Sequence, residues 1–268
     1  MIRTVAIGGL GAIGFAVAEA LDAGRIGGLR LLAVAARDPA RARARTAHFA
    51  TPPDIVGLAA LAAAEIVVEA APAAVFAEIA EPAIAAGRIL IACSAGALLL
   101  RMDLIDAARR HDARIVVPTG ALLGLDAVRA AAEGRVDSVT LETRKPPAGL
   151  AGAPYLTARG IDMAEVREPL CVFRGNAREA AAGFPANVNV AAALALAGTG
   201  PERTFVEIWA DPTIARNTHI IRVEAEAARF TMRIEGVPSP GNPRTGRLTP
   251  LSVLACLRGL ASTLKVGS

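Results

Sequence analysis

Aromatic residues are scarce in this chain of 268 residues: one Trp, one Tyr and seven Phe make up 3% of it. A surface that stacks nucleic-acid bases needs several such rings, so no nucleic-acid partner is expected despite a formal charge of +4. Lysine is scarcer still, with only Lys145 and Lys265, and arginine carries nearly all the positive charge. The three cysteines, Cys93, Cys171 and Cys256, lie far apart and form no C-x-x-C pair. Such a set suggests neither a disulfide framework nor a zinc site, so no metal is expected and a reducing compartment fits. No apolar run approaches the ~20 residues that span a bilayer. The longest, Ile89 to Leu100, is interrupted by Ser94 and Gly96. The opening MIRTVAIGG enters a strand pattern at once, without the layout of a secretory signal. The expectation is a cytoplasmic protein with no membrane partner.

What is present describes a globular chain, with 53% apolar and 20% charged residues. Its length favours two domains. From residue 3 to 118 short apolar runs alternate with helical stretches, the pattern of parallel βαβ units. The runs are Thr4 to Gly8, Leu29 to Ala36, Glu65 to Ala71, Ile89 to Ser94 and Ala113 to Pro118. Each is too short for a helix and rich in Ile and Val. Helices are expected over Ala12 to Ala23, Ala73 to Ala86 and Asp103 to His111, with a less regular stretch over 38 to 64. The Arg41, Arg43 and Arg45 series reads as a solvated face.

The texture changes after Pro118. A helix is expected over Leu125 to Glu133, then an alternating strand that ends at Pro146-Pro147, and a mobile loop over 148 to 160. Asn187 to Gly198 reads as a helix with a good N-cap and a glycine stop. Strands follow at Thr204 to Ala210, His219 to Glu224 and Ala228 to Glu235, and a last helix at Thr249 to Leu264 that packs back on the first domain. The predicted fold class is α/β: a doubly wound Rossmann sheet over 1–118, a smaller α+β substrate domain over 119–246, and a C-terminal helix over 247–268.

Gly9-Leu10-Gly11-Ala12-Ile13-Gly14 matches G-x-G-x-x-G between the first strand and the first helix. Gly9 permits the tight turn, Gly11 lets the backbone approach a pyrophosphate, and Gly14 allows close packing of helix on strand. The helix N-terminus, at Ala12 and Ile13, supplies donors for the anion. A carboxylate at the end of the second strand would bond the ribose hydroxyls of NAD, whereas this chain has Ala36 followed by Arg37. Arg37 is suited to the 2′-phosphate of NADP. Asp38 could swing in and favour NAD, or cap the helix that begins at Pro39. NADP is favoured, with NAD also accepted. Ala71 and Pro72, at the end of the third strand, and Gly96, after the fourth, are further candidate cofactor contacts, since such folds hold their ligand at the strand ends.

Of three histidines, His48 and His111 read as structural, His111 at a helix C-terminus. His219 follows a polar turn and precedes a strand, so it is either a satisfied edge histidine or the group that moves a proton near neutral pH.

The succession VVEAAP (Val67 to Pro72), ACSAGAL (Ala92 to Leu98), VPTGALLGLD (Val117 to Asp126), RKPP (Arg144 to Pro147), FPANVNVAAALALAG (Phe184 to Gly198), ADPTIARNTHII (Ala210 to Ile221) and PSPGNPRTGRL (Pro238 to Leu248) resembles the L-aspartate dehydrogenases nearly end to end. The resemblance implies NAD(P)-dependent oxidation of L-aspartate to iminosuccinate, which in many bacteria feeds NAD biosynthesis. It places the catalytic histidine at His219 and cofactor contacts at Asn189 and Leu123. The family usually has a small residue at 123, an acid at the end of the second strand, and N-P-K-T-S where this chain reads Asn242-Pro243-Arg244-Thr245-Gly246.

A dicarboxylate amino acid needs a cation or a helix N-terminus for each carboxylate. Candidates are Arg144, Lys145, Arg244 and the amides around Asn187, while Asn217 or Thr218 could orient His219. A solvated Lys145 is the more ordinary reading. Competing readings are a relative acting on another small amino or hydroxy acid, an imine reductase, and a non-catalytic NADP-binding sensor. A homodimer or higher homo-oligomer is expected.

Overall fold

The computed structural model describes residues 2–185, 188–239 and 242–267, with the backbone alone over 242–245. Two compact units emerge, one of residues 1–118 and 249–266, the other of 119–248 and 267–268.

The first unit runs β1 (Arg3–Gly8), α1 (Ala12–Asp22), β2 (Leu29–Ala35), α2 (Pro39–Thr46), β3 (Asp54–Ile55), β4 (Ile66–Glu69), α3 (Phe76–Ala85), β5 (Ile89–Ala92), α4 (Ala95–Leu99), α5 (Asp103–Arg110) and β6 (Arg114–Val116). The sheet order is β3-β2-β1-β4-β5-β6 and every described pairing is parallel. This is the doubly wound order whose ligand crevice lies beyond the carboxyl ends of β1 and β4. The central strands are buried on both faces, which explains their unbroken apolar runs: Val5 to Ile7, Ile66 to Val68 and Leu90 to Ala92 are sealed from solvent. The helix expected over 73 to 86 divides into a 3-10 turn, Ala73–Val75, and α3.

The second unit contains α6 (Leu125–Ala132), β7 (Val136–Lys145), α7 (Pro154–Thr157), β8 (Leu170–Asn176), α8 (Ala177–Gly183), α9 (Asn189–Ala197), β9 (Thr204–Ala210), β10 (Thr218–Ala225), β11 (Arg229–Glu235), β12 (Pro238–Ser239) and β13 (Asn242–Gly246). Its main sheet is mixed, in the order β11-β10-β7-β9-β8, with β7 and β9 parallel and the other pairs antiparallel. Strand alternation sorts the side chains. Along β9, Thr204, Val206, Ile208 and Ala210 are buried while Phe205 is 56% exposed.

Three parts of this unit differ from the sequence reading. β8 was not foreseen, since a register shift between Cys171 and Phe173 disturbs its alternation, and neither was α8. The segment over 148 to 160, expected as a loop, carries a 3-10 turn at Pro147–Gly149 and then α7. Tyr155 of α7 fastens it by packing edge-to-face against Phe173 and at a tilt against Phe184, with centroids 5.2 and 5.3 Å away. α9 begins at Asn189 after Val188, with no side-chain cap; Asn187, the expected cap, lies outside the described residues.

The last helix, α10 (Leu248–Ala261), returns to the first unit, where Val253 and Leu257 are fully buried in its core with Val17, Leu21 and Leu29. Arg258 donates to the carbonyl of Arg25 at 3.0 Å. Among the described residues no helix is long and apolar enough to cross a membrane.

Candidate active site

In the first unit the ends of β1, β2 and β4 converge on the glycine motif. Gly9 N–H donates to Ala35 O at 2.7 Å, and Ala70 N–H donates to Gly8 O at 2.8 Å. Gly9 has φ +93°, and a Cβ there would stand 2.5 Å from Ala70 O and 2.9 Å from Ala71 Cα. A Cβ on Gly14 would lie 1.8 Å from Gly9 O, so the close approach of α1 to the turn demands glycine. Gly11 differs: a Cβ there meets nothing within 4 Å. Packing does not require glycine at position 11, whereas a pyrophosphate lying on the N-terminus of α1 would. The cradle therefore fits a dinucleotide.

Around it, Ala12, Arg37 and Pro72 are exposed, Ile13 and Ala71 are half-buried, and Gly96 is buried in the first turn of α4. Asp38 Oδ1 accepts from Arg41 N–H at 3.0 Å, so this carboxylate caps α2 instead of turning to a ribose. Arg45, expected on a solvated face, donates to Leu10 O within the motif and stacks 4.0 Å over Phe15.

Sequence reasoning missed Glu69, a fully buried carboxylate at the end of β4. It accepts 2.9 Å hydrogen bonds from both the N–H and the hydroxyl of Ser94, which fixes the turn after β5. Burial raises its pKa, opposed by those hydrogen bonds. The signal was an acid in the interior of the run EIVVEAA, flanked on both sides by apolar residues.

In the second unit β7 and β10 carry the chemistry. His219 pairs with Thr143 in the antiparallel register, and Thr143 Oγ1 shares a 3.1 Å hydrogen bond with His219 Nδ1. His219 is 4% exposed. It is thus a buried strand residue, as the strand expected from His219 to Glu224 implies, and the solvated setting suggested by the preceding polar turn does not hold. Burial, then the charge of Lys145, pushes its pKa down to about 4, so the expected titration near neutrality does not hold. Thr143, not Thr218 or Asn217, holds the ring. Alternation turns Thr218 to the other face, where its hydroxyl donates to Arg216 O at 3.5 Å, and the Asn217 carbonyl accepts from Gly236 N–H.

Lys145, expected in solvent, is only 8% exposed. With Leu141 and Thr143 of β7 it lines a narrow cavity with Phe184, Val206 and Ile208, roomy enough for about one water-sized molecule. Burial pushes its pKa down to about 8.

Arg144 is committed elsewhere. It faces away from Lys145, bonds Glu142 at 2.6 Å and Asp211 at 3.2 Å, and lies 4.6 Å over the Trp209 ring. Arg222 completes the cluster on Glu142 at 3.1 Å. A guanidinium held by two carboxylates is poorly placed to receive a third, which argues against Arg144 as the substrate's carboxylate partner.

The family model for the C-terminal part of aspartate dehydrogenase matches residues 126–260, and that for the NAD-binding domain of homoserine dehydrogenase matches 9–118. An L-aspartate dehydrogenase of Bradyrhizobium diazoefficiens is 54% identical over 265 residues, covering 98% of this chain and 94% of that protein. The chain belongs to the aspartate dehydrogenase family. Another member, L-aspartate dehydrogenase 3 of Bordetella bronchiseptica, is 51% identical over 98% of this chain and 97% of its own length. The crystal structure of aspartate dehydrogenase from Thermotoga maritima matches with a TM-score of 0.73 at 26% identity, both chains covered in full.

Of the residues that the aspartate dehydrogenase resemblance singled out, Leu123 is 44% exposed in the segment before α6, and Asn189 opens α9 with its side chain exposed. The side chain of Arg244 lies outside the described residues. Within the second unit the charge of Lys145, a candidate cation for a substrate carboxylate, reaches His219. Thr143 was missed because its partner lies 76 positions away. A threonine between Leu141 and Lys145 on one strand face was the available signal.

Proposed function

We propose that the chain interconverts L-aspartate with iminosuccinate, and so with oxaloacetate plus ammonia, using NADP or NAD as the electron acceptor. The observation that carries this reading is a threonine-held, uncharged His219 that feels the charge of a buried Lys145 in an aspartate dehydrogenase family member.

The dinucleotide would rest on Gly9, Gly11, Ala12, Ile13 and Gly14, with Ala71, Pro72, Gly96, Leu123 and Asn189 as further contacts. When bound it supplies a two-electron acceptor for the hydrogen on C2 of the substrate. Exposed Arg37, with Asp38 occupied as a cap, supports a preference for NADP over NAD. His219 remains neutral through the working range and acts as a hydrogen-bond partner of the substrate nitrogen. Thr143 fixes the rotation of the ring and hence the aim of Nε2. Lys145, Asn217, Asn187 and Arg244 are the candidate contacts to the substrate, whose carboxylates need cationic or amide donors.

A cytoplasmic, homo-oligomeric enzyme is the companion proposal. The outward Phe205 and the exposed Leu170 leave apolar surface on the second unit, which supports self-association.

NAD(P)H oxidation with oxaloacetate plus ammonia, compared with a panel of other keto acids, tests the substrate. Oxaloacetate should exceed the others in kcat/KM, and a preference for a monocarboxylic keto acid would overturn the assignment.

A further inference from the structure

The proton that must leave the substrate's ammonium group needs an acceptor, and His219 is a poor one. Its ring is buried against Thr143 and resists charging down to a pH of about 4. Lys145 is the neighbour with the opposite property. It lies two residues beyond Thr143 on the same strand face, and Thr143 is the residue directly across the ladder from His219. Apart from Thr143 the cavity walls around Lys145 are apolar: Leu141 of β7, Val206 and Ile208 of β9, Phe184 beyond α8, and Ala191 of α9. Its charge reaches the ring of His219. Glu142, Arg144, Arg222 and Asp211 engage one another through the opposite face of the sheet. Such surroundings favour a neutral amine, and the Lys145 pKa falls to about 8. The chain otherwise takes its positive charge from arginine, which cannot give up its proton in a protein, yet places one of its two lysines here.

We propose that Lys145 is a catalytic residue, its neutral ε-amine accepting the proton from the substrate's ammonium group while His219 holds the nitrogen by a hydrogen bond. This rests on the reading above for the identity of the substrate. The N–H bond of the ammonium breaks and a bond forms to Nζ, which leaves a neutral amine on C2 and an ammonium on Lys145. The C2–H bond then breaks, its electron pair going with the hydrogen to the oxidised dinucleotide. The nitrogen lone pair closes the C=N bond of the protonated imine. The substrate loses two electrons, the dinucleotide gains them, and Lys145 returns its proton to solvent after product leaves.

Two measurements test the role. Trace acetylation across pH, read by mass spectrometry, gives the pKa of Lys145 without any need for turnover, with exposed Lys265 as the internal reference. A value near 8 is expected, and an ordinary value of about 10.4 would overturn the proposal. The second measurement compares kcat for L-aspartate in Lys145→Ala and Lys145→Arg, with NADPH binding confirming that each variant is folded. Both should lose about two to four decades, the scale of general acid-base catalysis, and methylamine should partly rescue the alanine variant. A Lys145→Arg enzyme within about threefold of the parent would show a carboxylate-docking cation and sink the proton-transfer role alone. Absence of L-aspartate turnover in the parent enzyme would sink the substrate assignment, and this role with it.

Discussion

At His219, burial changes the chemistry that the residue type suggests. A histidine in a solvated turn would charge and discharge around pH 6.5, while this one, closed in a strand against Thr143, stays neutral to about pH 4. The consequence reaches stability. Between those values the unfolded chain binds a proton that the folded chain refuses, so stability falls as pH drops from 6.5 towards 4 and is unaffected above that window. The gap corresponds to about 3 kcal/mol. Urea denaturation of the parent and of His219→Gln should therefore converge by about this amount on acidification. A stability difference independent of pH across that window would contradict the burial of a neutral ring. His219 was legible in the sequence as a candidate, since N-x-H sits where the family has its histidine. Its protonation was not, because that depends on a partner strand whose register no local pattern reveals.

At the scale of elements, the turn from β1 into α1 was legible in full. Its glycines keep the spacing of the fingerprint along one short stretch of chain, and each answers a constraint that the motif announces. Two variants separate those constraints. Gly11→Val places its side chain where nothing lies within 4 Å, so melting should hold while dinucleotide affinity drops about a hundredfold or more, the worth of about two charged hydrogen bonds. Gly14→Ala drives a methyl group against Gly9 O and should destabilise the first unit by about 3 kcal/mol, a large overpacking cost. Unchanged cofactor affinity in Gly11→Val would remove the cradle from the account.

The end of β2 carries the cofactor choice. Ala36→Asp with Arg37→Ala should move the ratio of kcat/KM values towards NAD by about one to two decades, as expected for one charged hydrogen bond. A parent enzyme that already strongly prefers NAD would refute the role given to Arg37. Elements without such local signatures were harder to foresee. β8 was hidden by its register shift, and α8 was overlooked although Asn176 and Glu179 form a capping box, a signal that the sequence does contain.

For the whole molecule, the division near Pro118 and the return of α10 to the first unit follow from patterns that can be read along the chain: parallel βαβ units, then alternating strands, then a helix with apolar positions to bury. The hydrogen-bonded face of β7 and β10 could not be read that way, since it exists only once strands far apart in sequence pair. The function drawn here depends on both kinds of feature, a dinucleotide cradle in the first unit and a polar pair in the second. The most direct test is steady-state oxidation of L-aspartate by the parent enzyme and by His219→Ala, with dinucleotide affinity measured separately. The account predicts that kcat falls by about two to three decades, the scale of losing one positioned hydrogen-bond partner, while dinucleotide affinity stays at the parental value. Near-parental turnover in the alanine variant would contradict it.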